Sequence, residues 1–186
     1  MRIVGGRWRG LRLAEVGAGD AAAHLRPTSD RVREAVFNLL AHRPSGDPVP
    51  GARVLDLFAG TGALGLEALS RGAAHVTFID DGAAARALIR ENVARCKAEG
   101  ITKLWRRDAS CPGESRGAPF DLVFLDPPYG AGLGERALAA LRAGGWLAPG
   151  ATLVWEEGAE FPVPEGYALD DRRRYGGTVV TLLRVG

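Results

Sequence analysis

Four consecutive residues carry the sharpest chemical signal in the sequence: Asp126-Pro127-Pro128-Tyr129, directly after the apolar run Leu122-Val123-Phe124-Leu125. An –NH₂ group on a planar ring is a poor nucleophile, because its lone pair is delocalised into the ring. The Asp126 carboxylate can accept one of its N–H bonds. The Pro127 carbonyl, held by the stiff Pro127-Pro128 unit, can accept the other. Two such acceptors pull the nitrogen toward tetrahedral geometry and aim its lone pair outward. Tyr129 offers a flat face on which a base can stack. The arrangement suits in-line transfer of an already activated group to a planar amine. Its rate would come from alignment and electrostatics, without a metal or a covalent intermediate. An isolated tetrapeptide of this kind also suits a Pro-Pro turn in which Asp126 caps the next helix. Its place at a strand end decides for the chemical reading, since ligands of open parallel sheets bind at that edge.

A second motif lies upstream. In Asp56-Leu57-Phe58-Ala59-Gly60-Thr61-Gly62-Ala63-Leu64-Gly65, the glycines at 60, 62 and 65 have the G-x-G-x-x-G spacing between an apolar strand and a helix. Glycines let the backbone turn sharply and approach a ligand, and the helix start presents free N–H groups. Asp80 ends the next strand, where an acid can bond ribose hydroxyls. The loop by itself suits a nicotinamide or flavin dinucleotide as well as S-adenosylmethionine. A dinucleotide oxidoreductase has no use for Asp126 to Tyr129, so the two motifs together point to S-adenosylmethionine.

These motifs need a frame. The sequence predicts strands at 54–58, 76–79, 104–106, 122–125 and 152–155, alternating with helices at 63–70, 83–98 and 133–142. That alternation implies a parallel sheet covered by helices on both sides. Two further strands, 167–175 and 178–185, are joined by Gly176-Gly177 as an antiparallel hairpin. The fold class expected is α/β, a Rossmann-like sheet of seven mostly parallel strands closed by that hairpin, as in class I methyltransferases. Ahead of it, Arg2 to Leu13 reads as a β-hairpin. A helix follows, with Thr28 and Ser29 as N-cap candidates, Val32, Ala35, Val36, Leu39 and Leu40 on one face, and Arg31, Glu34 and Asn38 on the other. The chain is expected to be one domain over residues 1–186: an N-terminal extension at 1–50 and a catalytic core at 51–186.

The 186 residues are 46% hydrophobic and 25% charged, ordinary for a soluble globular protein, with no apolar run long enough to cross a bilayer. Cys96 and Cys111 match no metal spacing. With no export signal, they read as reduced thiols of a cytoplasmic protein. The net charge of +2 does not announce a nucleic-acid partner, but its distribution is uneven. Arg2, Arg7, Arg9 and Arg12 precede the first acid, Glu15, and Arg26, Arg31 and Arg33 follow soon after. With Trp8 as a stacking surface, these are candidate RNA contacts. Composition alone leaves that reading level with a genomic bias toward Arg, and any one of these arginines could instead pair with Asp30 or Glu34. The run Arg172-Arg173-Arg174 reads as a solvated hairpin edge.

Taken together, the chain resembles the bacterial family that methylates N2 of one guanine in small-subunit (16S) ribosomal RNA. The resemblance runs nearly end to end. It includes Arg2-Ile3-Val4-Gly5-Gly6 with Trp8-Arg9-Gly10, Leu25 to Glu34 with Phe37-Asn38, Asp56 to Arg71, Asp126 to Tyr129, Gly145-Trp146-Leu147 and the Glu156-Glu157 region. It implies S-adenosylmethionine as cofactor, held along Asp56, Phe58, Ala59, Gly60, Thr61 and Gly62, with Gly60 and Gly62 lining its methionine part. It implies that Asp108 bonds the adenine amine with Ala109 against the ring, that Thr28 reaches the methionine carboxylate, and that Asp80 holds the ribose. Asp80 stands where the family usually carries Glu, and Asp81 beside it leaves the choice of ribose ligand open. The implied partner is ribosomal RNA of the small subunit or an assembly intermediate, met by a monomer without metal or membrane. Three other readings use the same motifs. A DNA adenine-N6 methyltransferase usually carries a separate target-recognition domain, for which there is little room. A protein glutamine-N5 methyltransferase typically has Asn where Asp126 stands. An RNA-binding assembly factor with a vestigial cofactor site would not need intact acceptors at Asp126 and Tyr129.

Overall fold

The structure, a computed structural model, describes residues 1–15 and 29–186. Its helices are α1 (Asp30–Ala41), α2 (Ala63–Ser70), α3 (Ala83–Arg95) and α4 (Leu133–Ala143). Its strands are β1 (Arg53–Leu57), β2 (His75–Ile79), β3 (Thr102–Trp105), β4 (Phe120–Leu125), β5 (Leu147–Glu157), β6 (Tyr167–Tyr175) and β7 (Thr178–Val185). The seven strands form one sheet in the order β3-β2-β1-β4-β5-β7-β6. β1 to β5 run parallel, and β7 joins antiparallel to both β5 and β6. The β6-β7 turn places Gly176 at φ 61°, the left-handed conformation that a tight two-residue hairpin demands. The order reverses between β1 and β4, so the C-terminal ends of these neighbours flank the crevice where open α/β sheets bind ligands.

Alternation along the strands divides the core. Val54, Val76, Phe78, Leu122 and Phe124 face α1, α2, α3 and the N-terminal segment. Leu55, Leu57, Val123, Leu125 and Leu153 face α4, Trp146 and Trp155. Strands buried on both faces explain why the sequence shows apolar runs there instead of alternation.

Three local expectations need correction. The N-terminal segment is not a regular β-hairpin. It has one isolated antiparallel bridge, Arg2 to Arg12, and a short 3-10 turn at Gly6–Trp8. The ladder breaks because the segment is drawn onto α2. Val4 and Gly5 donate their N–H groups to the Glu67 carboxylate at 2.9 and 2.8 Å, and Trp8 N–H donates to Ser70 Oγ at 2.9 Å. Gly6, at φ 73°, passes so close that a Cβ there would stand 1.9 Å from the Ser70 carbonyl oxygen.

The inward face of α1 is also rotated from the expected one: Arg33, Val36, Phe37 and Leu40 are buried, while Arg31, Glu34 and Asn38 are exposed as expected. Ser29 caps this helix, its Oγ accepting from Val32 N–H at 3.2 Å; the other cap candidate, Thr28, lies outside the described residues. Arg33 takes a core position because its guanidinium meets charge there. It pairs with Asp30 at 2.8 Å and Glu67 at 3.5 Å, and donates to the Arg2 carbonyl.

Finally, α3 stops at Arg95 instead of continuing to Ala98. Lys97 turns left-handed at φ 51°, and Ala98 N–H returns to the Val93 carbonyl at 3.0 Å, closing the helix without glycine.

The buried Glu67 carboxylate therefore joins the N-terminal segment, α1 and α2. We predict that Glu67→Ala, which removes the acceptor of Val4, Gly5 and Arg71 and the counter-charge of Arg33, costs about 3–5 kcal/mol of stability. Urea denaturation reads this as a lower midpoint, and a loss below about 1 kcal/mol contradicts the role.

Candidate active site

Five acidic positions gather at or just beyond the C-terminal ends of the parallel strands: Asp56 on β1, Asp80 after β2, Asp108 after β3, Asp126 after β4 and Glu156 on β5. The glycine loop lies among them. β1 ends at Leu57, and Phe58 then adopts φ 56°, strained for a side chain with a Cβ. Gly60 and Gly62 follow at φ 55° and 75°, and Gly62 caps α2 in the left-handed conformation. A Cβ on Gly60 would meet nothing nearer than 3.9 Å, so the outer face of the loop is open to a ligand. Gly65 does the opposite work. A Cβ there would lie 2.5 Å from Phe78 Cε1 and 2.7 Å from Val76 Cγ1, so its absence lets α2 press against β2.

The acids brace this loop. Asp56 is 1% exposed, and its Oδ2 accepts from Gly65 N–H at 3.0 Å. It was expected among the cofactor contacts, but here it pins the start of α2 from beneath the loop. Burial, with the charges of Asp126 and Asp80, pushes its carboxyl well above the usual carboxylate range. Asp80 accepts from Gly60 N–H at 2.9 Å with Oδ2 and from Gly82 N–H at 2.8 Å with Oδ1, clasping the loop to the turn after β2. Burial raises its pKa, and the two N–H bonds oppose that rise. Asp81 beside it is exposed, and its main-chain carbonyl accepts from Arg86.

Thr61 is buried under the N-terminus, with Oγ1 3.7 Å from Met1 Sδ. Its carbonyl accepts from Asn92 Nδ2 at 2.9 Å, and Asn92 Oδ1 takes Ala14 N–H at 2.6 Å. Asn92 thus ties α3 and the N-terminal segment to the loop. Sequence reasoning missed it, although a lone Asn beside Ile89 and Val93 on an otherwise apolar helix face was a usable signal. Phe58, expected as the last residue of the first strand, instead opens the loop just past β1, followed by Ala59. Asp108 is exposed on the same rim, with Oδ1 accepting from Ser110 N–H at 2.8 Å and Ser110 Oγ at 2.7 Å; these bonds lower its pKa. Ala109 is buried next to it.

Across the crevice, the tetrapeptide leaves β4 with Asp126 partly exposed, Pro127 buried and Pro128 exposed. Tyr129 is 46% exposed, with its hydroxyl 3.0 Å from Thr178 Oγ1 on β7. Its ring rests over Gly158, where a Cβ would stand 3.0 Å from Cδ2. Glu157 Oε1 accepts from both Gly130 N–H at 3.1 Å and Gly158 N–H at 2.8 Å, joining the chain after the tetrapeptide to the end of β5. The apolar face offered by Tyr129 is thus held by the hairpin that closes the sheet.

The basic candidates divide. Arg2, Arg7, Arg9, Arg12 and Arg31 are exposed. Trp8 is half-buried, with the Arg7 guanidinium 4.1 Å from its ring centre. Arg33 is a correction. It is 0% exposed and committed to Glu67 and Asp30, so it does not present itself to phosphate. Arg26 and Thr28 lie outside the described residues. In the 172–174 run, Arg172 is held by the Phe161 carbonyl at 2.9 Å and Thr181 Oγ1 at 3.1 Å, while Arg173 and Arg174 are exposed.

Comparison with known proteins fits this geometry. Residues 1–184 match the family model described as conserved hypothetical protein 95. The chain is 43% identical over 165 residues to ribosomal RNA small subunit methyltransferase D of Escherichia coli (strain K12), covering 88% of this chain and 78% of that one. It is 34% identical over 174 residues to the Haemophilus influenzae protein of the same name, covering 91% and 86%. The chain belongs to the small-subunit ribosomal RNA methyltransferase D family. A solved Escherichia coli structure described as a methyltransferase superposes with a TM-score of 0.81 at 38% identity, over 100% of this chain and 97% of that one. The fold is that of the class I methyltransferases, as expected from the strand and helix alternation. Among the described residues, no helix is long and apolar enough to cross a membrane.

Because Gly65 sets the distance between α2 and β2, we predict that Gly65→Ala destabilises by about 1–3 kcal/mol through overpacking against Phe78 and Val76. Guanidinium denaturation tests this, and an unchanged midpoint contradicts it.

Proposed function

We propose that this member of the family transfers a methyl group from S-adenosylmethionine to the exocyclic N2 amine of a guanine in 16S ribosomal RNA. The observation that carries the reading is the placement of Asp126-Pro127-Pro128-Tyr129 at the end of β4, next to β1 and its glycine loop in the sheet. The family relatives are named for ribosomal RNA of the small subunit, which supports that substrate class.

The donor set fits the cofactor: an open glycine turn, a helix start and carboxylates after β2 and β3. Gly60 and Gly62 would line its methionine part, and Asp108 and Ala109 its adenine. Asp80 uses both oxygens on backbone N–H groups, whereas Asp81 is exposed, so the ribose would be shared between Asp80's outer lone pairs and Asp81. When bound, S-adenosylmethionine supplies a methyl group activated by a positive sulfur. The protein's part is alignment. Asp126 and the Pro127 carbonyl accept the two amine N–H bonds and turn the nitrogen lone pair toward the crevice, and Tyr129 holds the base plane. The base must stand out of its stack to reach them. The exposed arginines at 2, 7, 9, 12 and 31 would contact the phosphates, making residues 1–50 the RNA-facing part and 51–186 the catalytic core. In this reading the protein works as a cytoplasmic monomer without metal, and neighbouring RNA structure or ribosomal proteins supply part of its specificity.

Two variants separate the roles. Asp126→Ala is predicted to keep S-adenosylmethionine affinity within about threefold while lowering turnover at least about a hundredfold, as removal of a transition-state contact does. Asp80→Ala is predicted to weaken cofactor binding more than it slows turnover at saturation. Calorimetric titration and single-turnover transfer to small subunits measure both. Lost cofactor affinity with normal saturated turnover in Asp126→Ala would contradict the assignment.

A further inference from the structure

Glu156 is absorbed neither by the glycine loop nor by the tetrapeptide. It lies near the end of β5, one step past the last register pair Leu125–Trp155, just as Asp126 lies one step past the end of the adjacent parallel strand β4, so the two positions are neighbours. Adjacent strands run about 4.8 Å apart. Glu156 is 3% exposed, and its Oε1 is buried with no hydrogen-bond partner among the described residues. Its neighbour on β7 is Val180, whose apolar side chain offers no donor. The charged and titratable groups that act on it are Asp126 from the end of β4, Asp56 from β1 and Arg33 from α1. Tyr129 in turn is acted on by Glu156, Asp126 and Glu157.

An ionised carboxylate with a buried oxygen lacking a donor is costly, and two neighbouring carboxylates at such a place cannot both ionise cheaply. A proton on one of the two relieves that cost. Asp126 is the more exposed of the two, and Glu156 the more buried. We propose that Glu156 is a positioning residue for methyl transfer: a neutral carboxyl that takes that proton, leaves Asp126 ionised, and holds it toward the acceptor amine. This rests on Asp126 being the acceptor for that amine. Burial first, then the charges of Asp126 and Asp56, push the Glu156 carboxyl well above its usual range, and the Arg33 charge only partly opposes this. When Glu156 ionises as the pH rises, repulsion turns Asp126 from its line and transfer slows.

The test compares wild type, Glu156→Ala and Glu156→Gln, the last a neutral group of the same shape. Transfer to small subunits is followed against pH. Glu156→Ala is expected to lower saturated turnover at neutral pH at least tenfold, with the Michaelis constant for S-adenosylmethionine little changed, and Glu156→Gln to restore it to within threefold. The fall of the wild-type rate with rising pH is expected to vanish in Glu156→Gln. The same fall in both proteins, or no rescue by Gln, overturns the proposal.

A second reading does not depend on turnover. A carboxyl raised on folding binds its proton more tightly in the native state, so its contribution to stability declines as pH climbs from the unfolded value, about 4.3, through the folded one. The melting temperature of Glu156→Gln should therefore exceed that of wild type by a margin that widens as the pH rises above the unfolded value. Parallel melting curves, which mean that the carboxyl is not raised on folding, or failure of Glu156→Gln to fold, which means that the position needs a charge, overturn the proposal. Absence of methylated RNA from wild type, with the widening margin intact, faults the proposed substrate and leaves the proton on Glu156 standing.

Discussion

The buried carboxylate of Glu67 is the constraint from which the rest follows. A carboxylate out of water must be met by donors, or its burial costs several kcal/mol. Here the partners come from parts of the chain far apart in sequence: the N–H groups of Val4 and Gly5, the guanidinium of Arg71 just past α2, and the charge of Arg33 on α1, 3.5 Å away. Satisfying one charge therefore fixes the N-terminal segment and α1 against the helix that begins at the glycine loop. The same fixing brings Met1 over Thr61 and Ala14 onto Asn92, so the loop is supported from the N-terminal side as well as from the sheet.

The opposite edge of the crevice obeys a second constraint. Parallel strands end there, and their terminal acids must find donors or protons. Asp80 finds Gly60 and Gly82, Asp56 finds Gly65, and Glu157 finds Gly130 and Gly158. Backbone amides thus neutralise most of the rim and, in doing so, set the shape of both loops. Asp126 stands partly exposed at the mouth, and Glu156 beside it has a buried oxygen without a hydrogen-bond partner among the described residues. In the proposed function, a charged acceptor at the mouth backed by a neutral acid would align a planar amine.

Features set by short-range chemistry were legible in the sequence. The glycine loop, the Asp126 tetrapeptide and the Gly176-Gly177 hairpin each depend on residues a few positions apart, and each appears where the sequence places it. Features set by distant partners were not. Arg33 looks like a surface arginine until Glu67, 34 positions on, is found buried beside it. The N-terminal segment reads as a hairpin because its glycines suit one, but the ladder yields to donors wanted by Glu67. Lys97 ends α3 in a conformation where glycine is the usual sign. Glu156 is unremarkable until β5 sets it beside Asp126 with Val180 opposite.

The account turns on what receives the methyl group. Purified protein and labelled S-adenosylmethionine should be incubated with small ribosomal subunits from a strain lacking this gene, and the digested RNA read by mass spectrometry. The account predicts N2-methylguanosine at a single site. Cofactor binding without a methylated nucleoside, or label on a DNA adenine or a protein glutamine instead, would contradict it.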